Sequence, residues 1–161
     1  MIECAEENLI DFSYEEIDNK PLLDFAGKLP NQGTLVSNDN IYYFLKVIDD
    51  FILELCPLIE NEKVIMPDYF LPYNNTGAHI SIFHSNEIIE KPIEVKEKGE
   101  TFSFEVKSLI KLNVLNRAYF TLIVYSQELE ELRLRYGFNP KPNFRGLIVP
   151  FHITIARGIL E

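Results

Sequence analysis

Several things are scarce or missing in this chain of 161 residues, and each narrows what it can be. There are two cysteines, Cys4 and Cys56, and no CxxC pair. They cannot make a disulfide scaffold, and two reduced thiols in a cytosolic protein is a simpler reading than one Cys4–Cys56 bridge. Apolar runs are broken by charges well short of about 18 residues, which excludes a membrane-spanning helix. The opening "MIECAEENLIDF" has no apolar h-region, so no secretory signal is expected. GxGxxG, the P-loop and tandem repeats are absent. So are HxH and HExxH, and neither cysteine neighbours a histidine, so no metal site is expected.

Positive charge is also short. The net charge is −10. Residues 1–100 carry 20 acidic and 7 basic side chains, whereas residues 101–161 carry 5 and 8. Such a surface repels long polyphosphates, which argues against duplex DNA as a partner. A small nucleotide or a short RNA end remains admissible, and the basic balance of the last third is where an anion would be welcome.

What is present suggests one α+β domain over residues 1–161, with antiparallel pairs. Residues 1–32 are acidic and turn-rich, with room for a short strand or helix. "GTLVS" at 33–37 reads as a strand. "SNDN" at 37–40 supplies N-cap residues, and Ile41, Phe44, Leu45, Ile48, Phe51, Ile52, Leu55 and Ile59 recur at three- and four-residue spacing. That pattern predicts a long helix, weakened by Pro57. A Pro- and Tyr-rich connector follows at 63–77, with a short strand at 63–66. A strand is expected at 78–84 and a polar excursion at 86–100. Strands at 101–112 and 118–126 make a hairpin turning near Asn116. Ser126 caps a helix that Gly137 ends. A loop at 138–146 leads to a final strand at 147–158.

Two strands rhyme: "HISIF" at 79–83 and "HITIA" at 152–156. A strand alternates faces, so His79 shares a face with Ser81, and His152 with Thr154. The intervening Ile80, Ile82, Ile153 and Ile155 face the other way, into a core. Each strand thus offers an imidazole and a hydroxyl about 6.5–7 Å apart along the backbone, a spacing that suits a phosphate. Two imidazoles serve as acid and base for phosphodiester cleavage, and two hydroxyls donate to non-bridging oxygens. The scheme needs no metal or other cofactor.

Two H-x-[ST]-x motifs in one small chain resemble the 2H phosphoesterase superfamily. "PFHITIARG" resembles the C-terminal motif of its LigT-like RNA 2′,3′-cyclic phosphodiesterase branch, and "AHISIFH" has Ser81 where Thr is commoner. The resemblance implies a bilobal, pseudo-symmetric fold of two antiparallel sheets flanked by helices, with the motifs at 79–82 and 152–155 meeting in a central cleft. It implies a metal-independent phosphodiesterase, with His79 and His152 as the acid/base pair and Ser81 and Thr154 as phosphate holders. The leading substrate is a small nucleotide or RNA end bearing a 2′,3′-cyclic phosphate. Alternatives are hydrolysis of 2′,5′-oligoadenylate or cyclic oligonucleotide second messengers in defence evasion, and nucleotide binding without turnover. The expected form is a monomer in the cytoplasm, or in the host cytosol for a viral protein.

A further set of residues is a candidate for substrate contact. Tyr69, Phe70 and Tyr73 precede the first motif and offer rings for base stacking. Lys141 and Arg145 lie in the loop entering the last strand. Arg157 follows the second motif, although its parity points it away from the cleft in a regular strand. His84 is expected to face away from the cleft for the same reason. Tyr119 and Phe120 are expected in the core, and the acidic run at 3–18 on a solvated face.

Overall fold

A computed structural model describes residues 12–144 and 146–159. Cys4 and Arg145 lie outside the described residues. In order the elements are β1 (Phe12–Ile17), α1 (Lys20–Lys28), β2 (Gln32–Asn38), β3 (Tyr42–Lys46), α2 (Asp50–Leu53), a 3-10 turn (Cys56–Leu58), β4 (Val64–Ile65) and β5 (His79–Phe83). Then come α3 (Ser85–Glu90), β6 (Thr101–Ser103), β7 (Glu105–Val114), β8 (Arg117–Tyr125), α4 (Gln127–Arg135), β9 (Asn143–Phe144), β10 (Leu147–Ile148) and β11 (His152–Gly158). One sheet runs β1-β7-β8-β11-β4, a second runs β5-β3-β2-β6, and β9 and β10 form a small third. All pairings are antiparallel. The architecture is the expected α+β, with one histidine motif on each of the two larger sheets.

The long helix expected from residue 41 is not there. The same residues form β3, the single turn of α2 and the 3-10 turn. Asp39 and Asn40 both adopt positive φ, 57° and 58°, and the Ile41 N–H bonds the Asn38 carbonyl at 3.3 Å. Asn and Asp suit a helix N-cap, but they also tolerate the left-handed conformation of a type I′ hairpin turn. Here the second use wins, because "YYFLK" pairs with β2 on one side and β5 on the other. The helical stripe was incidental: Ile41 and Ile48, two of its members, are exposed.

Three smaller expectations also change. The strand expected over 101–112 breaks at Phe104, so β6 joins one sheet and β7 the other. The chain thereby crosses between the two halves, with Phe102 and Phe104 both buried. The final strand divides into β10 and β11 around residues 149–151. The polar excursion at 86–100 begins with the short helix α3.

Elsewhere local chemistry does what its residue types suggest. Leu115 and Asn116, both at positive φ, turn the β7–β8 hairpin, with Val114 opposite Arg117. Ser126 Oγ accepts the Leu129 N–H at 3.1 Å, capping α4, and Gly137 (φ 83°) ends it. Asn19 caps α1 through the Leu22 N–H and donates to the Leu58 carbonyl. One continuous core joins the halves, from Leu22 of α1 through Phe51, Ile80 and Phe83 to Leu122, Leu132, Ile153 and Ile155. Ser13 to Glu16 of the edge strand β1 are all exposed, and their carboxylates discourage further strand pairing there.

Candidate active site

The two motif strands pack alongside each other, β5 from the small sheet and β11 from the large one. Their alternation is as the parity argument requires. Ile80, Ile82, Ile153 and Ile155 have no solvent exposure. Each isoleucine contributes about 1.5–3 kcal/mol by burial, which anchors the opposite face in place. His79, Ser81, His152 and Thr154 are only half-buried.

Both imidazoles are held by the same device. His79 Nδ1 lies 2.7 Å from the Gly77 carbonyl, and His152 Nδ1 lies 2.9 Å from the Pro150 carbonyl. A carbonyl can only accept, so each Nδ1 carries the proton and each neutral ring keeps its Nε2 lone pair. Burial pushes His79 down to about 4, against the Gly77 bond that favours its charged form, and His152 and Lys46 push it further down. Burial also lowers His152, opposed by the Pro150 bond.

The turn before the first motif is braced. Asp49 Oδ1 accepts the Ala78 N–H at 3.0 Å and Lys46 Nζ at 2.6 Å. Burial alone would raise the Asp49 carboxyl, but these two donors hold it below its ordinary value. Gly77 sits at φ +63°, where a Cβ would run into Asp49 Oδ1. Glycine is required there both for the backbone angle and for the space.

Beyond each hydroxyl the strand breaks register in the same way. The β11–β8 pairing shifts between Thr154 and Ala156, and the β5–β3 pairing shifts between its Ser81 and Phe83 pairs. In both strands two consecutive residues are then buried, Ile82 with Phe83 and Ile155 with Ala156. This corrects the parity reading of Arg157. Thr154 pairs with Thr121 and Arg157 with Tyr119, and those partners are two apart on β8. Arg157 therefore shares the face of His152 and Thr154. One Nη bonds Asp68 at 3.4 Å, while its buried Nε has no partner among the described residues.

His84 occupies the corresponding place after the first motif, five residues on from His79. It does not point away. It stacks on Tyr42 at 6.2 Å and packs against Phe144 at 5.1 Å. Burial pushes it to about 4, with Glu87 opposing and His152, Arg133 and His79 adding to the fall. All three histidines of the chain thus gather in one region.

Sequence reasoning missed two aromatic residues here, because it assigned them to a helix. Tyr42 and Phe44 of β3 lie beside the first motif, and their rings pack against each other at 5.1 Å and against His79 at 6.3 and 5.3 Å. The Tyr42 hydroxyl is 2.5 Å from Ser81 Oγ. The signal that could have found them was the Asp-Asn turn followed by a β-prone Tyr-Tyr-Phe run.

The remaining candidates scatter. Tyr69 is at the centre: its ring meets His79 edge-on at 4.7 Å, and burial raises its phenol, opposed by the neighbouring Thr154 side chain. Phe70 is exposed, and Tyr73 is 85% exposed on the Leu71–Asn74 turn. Lys141 pairs with Glu130 at 3.2 Å. Phe120 is in the core as expected, whereas Tyr119 is half-buried opposite Arg157, on the face of His152 and Thr154. Among the described residues no group of three His, Cys, Asp or Glu side chains is placed to hold a metal ion. No helix among them is long and apolar enough to cross a membrane.

A family model described as the Swiss Army Knife 2H phosphoesterase domain matches residues 43–159, a span that includes both motifs. Nothing among the curated proteins or the solved structures matches the chain.

Proposed function

The chain belongs to the 2H phosphoesterase superfamily, and from that premise we propose that it is a metal-independent phosphodiesterase acting on a small nucleotide or RNA end. The observation that carries this reading is the matched pair of imidazoles, each tied at Nδ1 to the carbonyl two residues before it. That arrangement frees both Nε2 atoms for proton transfer beside two hydroxyls. The leading substrate is a 2′,3′-cyclic phosphate, whose single phosphate would be shared by the two His/hydroxyl pairs.

The reaction balances with these groups alone. One neutral imidazole takes a proton from water at Nε2 as the water oxygen attacks phosphorus. The other, protonated at Nε2, gives its proton to the ribose oxygen as the P–O bond breaks. The product is a phosphomonoester and a free hydroxyl, and the two rings have exchanged protonation states. Ser81 and Thr154 donate to the non-bridging oxygens, where negative charge must be held. Arg157 adds a cation on the same face. Tyr69, Tyr73 and Lys141 remain candidates for the nucleoside end, and so does Arg145, outside the described residues.

The test is a substrate panel: 2′,3′-cyclic mononucleotides, 2′,5′-oligoadenylate, cyclic di- and trinucleotides and oligouridylated RNA. Wild type should turn over at least one member, with EDTA causing no loss. His79→Ala and His152→Ala should each lower kcat by about 10²–10⁴-fold while the protein stays folded. Equal, negligible turnover by wild type and the double variant would overturn the enzyme reading and leave a binding module. Loss of activity in EDTA would overturn metal independence.

A further inference from the structure

The first motif hydroxyl meets a tyrosine. Ser81 Oγ lies 2.5 Å from the hydroxyl of Tyr42 on β3. The Tyr42 ring also packs edge-on against His79, so this tyrosine has its ring on the acid/base group and its oxygen on a phosphate holder.

We propose that Tyr42 is a positioning residue, which donates its phenolic proton to Ser81 and so commits that motif hydroxyl to donate to the substrate. The proposal rests on the phosphoesterase reading for its substrate, but the bond itself does not depend on it. A hydroxyl has one proton and can point it in one useful direction. A phosphate oxygen only accepts, so a phosphate-holding Ser must spend its proton on the ligand. Its lone pair then needs a donor from behind, and a phenol is a better donor than an aliphatic alcohol. A phenolate could not serve. Burial raises Tyr42 above its ordinary value, which keeps the phenol protonated across the working range.

The experiment is a double-variant cycle of Tyr42→Phe with Ser81→Ala. Phenylalanine keeps the ring packing and removes only the hydroxyl. Each protein is measured twice, by kcat and KM on the best substrate of the panel and by urea unfolding. Tyr42→Phe should lower kcat about tenfold with KM changed less than about twofold, the loss expected for one aimed hydrogen bond. In the Ser81→Ala background the same change should be nearly silent, less than about twofold. The limbs of the pH profile should stay where they are in wild type. Effects of equal size in both backgrounds would overturn the proposal, as would a displaced pH limb, which would mean that Tyr42 acts through His79. Should no panel member be turned over by wild type, the phosphoesterase reading fails by itself. The unfolding cycle then decides the bond: additive stabilities overturn it, and coupled stabilities support it.

Discussion

At the residue scale, the site depends on two imidazoles that are neutral when empty. Burial leads in lowering both, His79 to about 4 and His152 below its ordinary 6.5. Acid/base turnover needs one ring neutral and the other protonated. The pH dependence of kcat/KM reports the free enzyme, so its optimum should fall on the acid side of 6.5. Above both values the protonated fraction of the acid falls tenfold per pH unit. We therefore expect kcat/KM to decline with a slope of about −1 in log units as pH rises from neutrality. Initial rates at low substrate across the pH range check this, and an optimum on the alkaline side would contradict it. At saturation the profile should shift upward, because a bound phosphate anion favours the imidazolium.

At the element scale, one buried ion pair ties the first motif to the helix beyond it. Arg133 of α4 has no solvent exposure, and the Glu87 side chain of α3 keeps 5%. The guanidinium gives two bonds to the carboxylate, at 3.0 and 2.6 Å. It also bonds the carbonyls of Ile82, Asn139 and Lys141. The end of β5, the start of α3 and the loop to β9 are therefore held by one side chain. Arg133→Met would leave Glu87 buried and unpaired, at a cost of about 3–5 kcal/mol. Glu87→Gln keeps a hydrogen-bonding oxygen and should cost less. Urea unfolding of the two variants gives the order, and equal losses would contradict this account. Little of this was legible beforehand. The β7–β8 hairpin and the capped helix α4 could be read from the chain, because their turn and cap chemistry lies within a few residues. The β2–β3 hairpin was misread as a helix start, since Asp39 and Asn40 serve either purpose until a partner strand chooses. The bulges after Ser81 and Thr154 left no local mark either, so the facing of His84 and Arg157 came out wrong.

At the scale of the whole molecule, charge is arranged differently from its distribution along the chain. The basic last third was expected to welcome an anion. Instead Lys107, Lys111, Arg133, Arg135, Lys141 and Arg157 each pair with a carboxylate. Among the described residues of that stretch, six of seven cations are thus paired, which favours short-range donors beside the motifs over a long-range field. The three histidines also link folding to pH. His79 and His84 are pushed to about 4 and His152 is lowered, all chiefly by burial. Their unfolded counterparts protonate near 6.5. The unfolded chain therefore binds more protons in this window, and stability is full above about 6.5 and declines as pH falls toward 4. Thermal unfolding at about pH 7 and about pH 5 should show the lower midpoint at pH 5, and His84→Phe should shrink the difference. A midpoint flat across that window would contradict the linkage.

The amino-acid sequence by itself determined what depends on near neighbours. The alternation of His79 with Ser81 and of His152 with Thr154 follows from strand geometry, and so does the burial of the four isoleucines between and beside them. Tertiary structure decided what depends on partners distant in the chain. The pairing of β3 with β2 and β5 overrode a helical pattern, and two register shifts turned His84 and Arg157 toward the motifs. Tyr42 came to lie against a hydroxyl 39 residues away. Local periodicity is set by the backbone repeat, whereas a bulge, an ion pair or a borrowed phenol exists only when a second segment arrives to complete it.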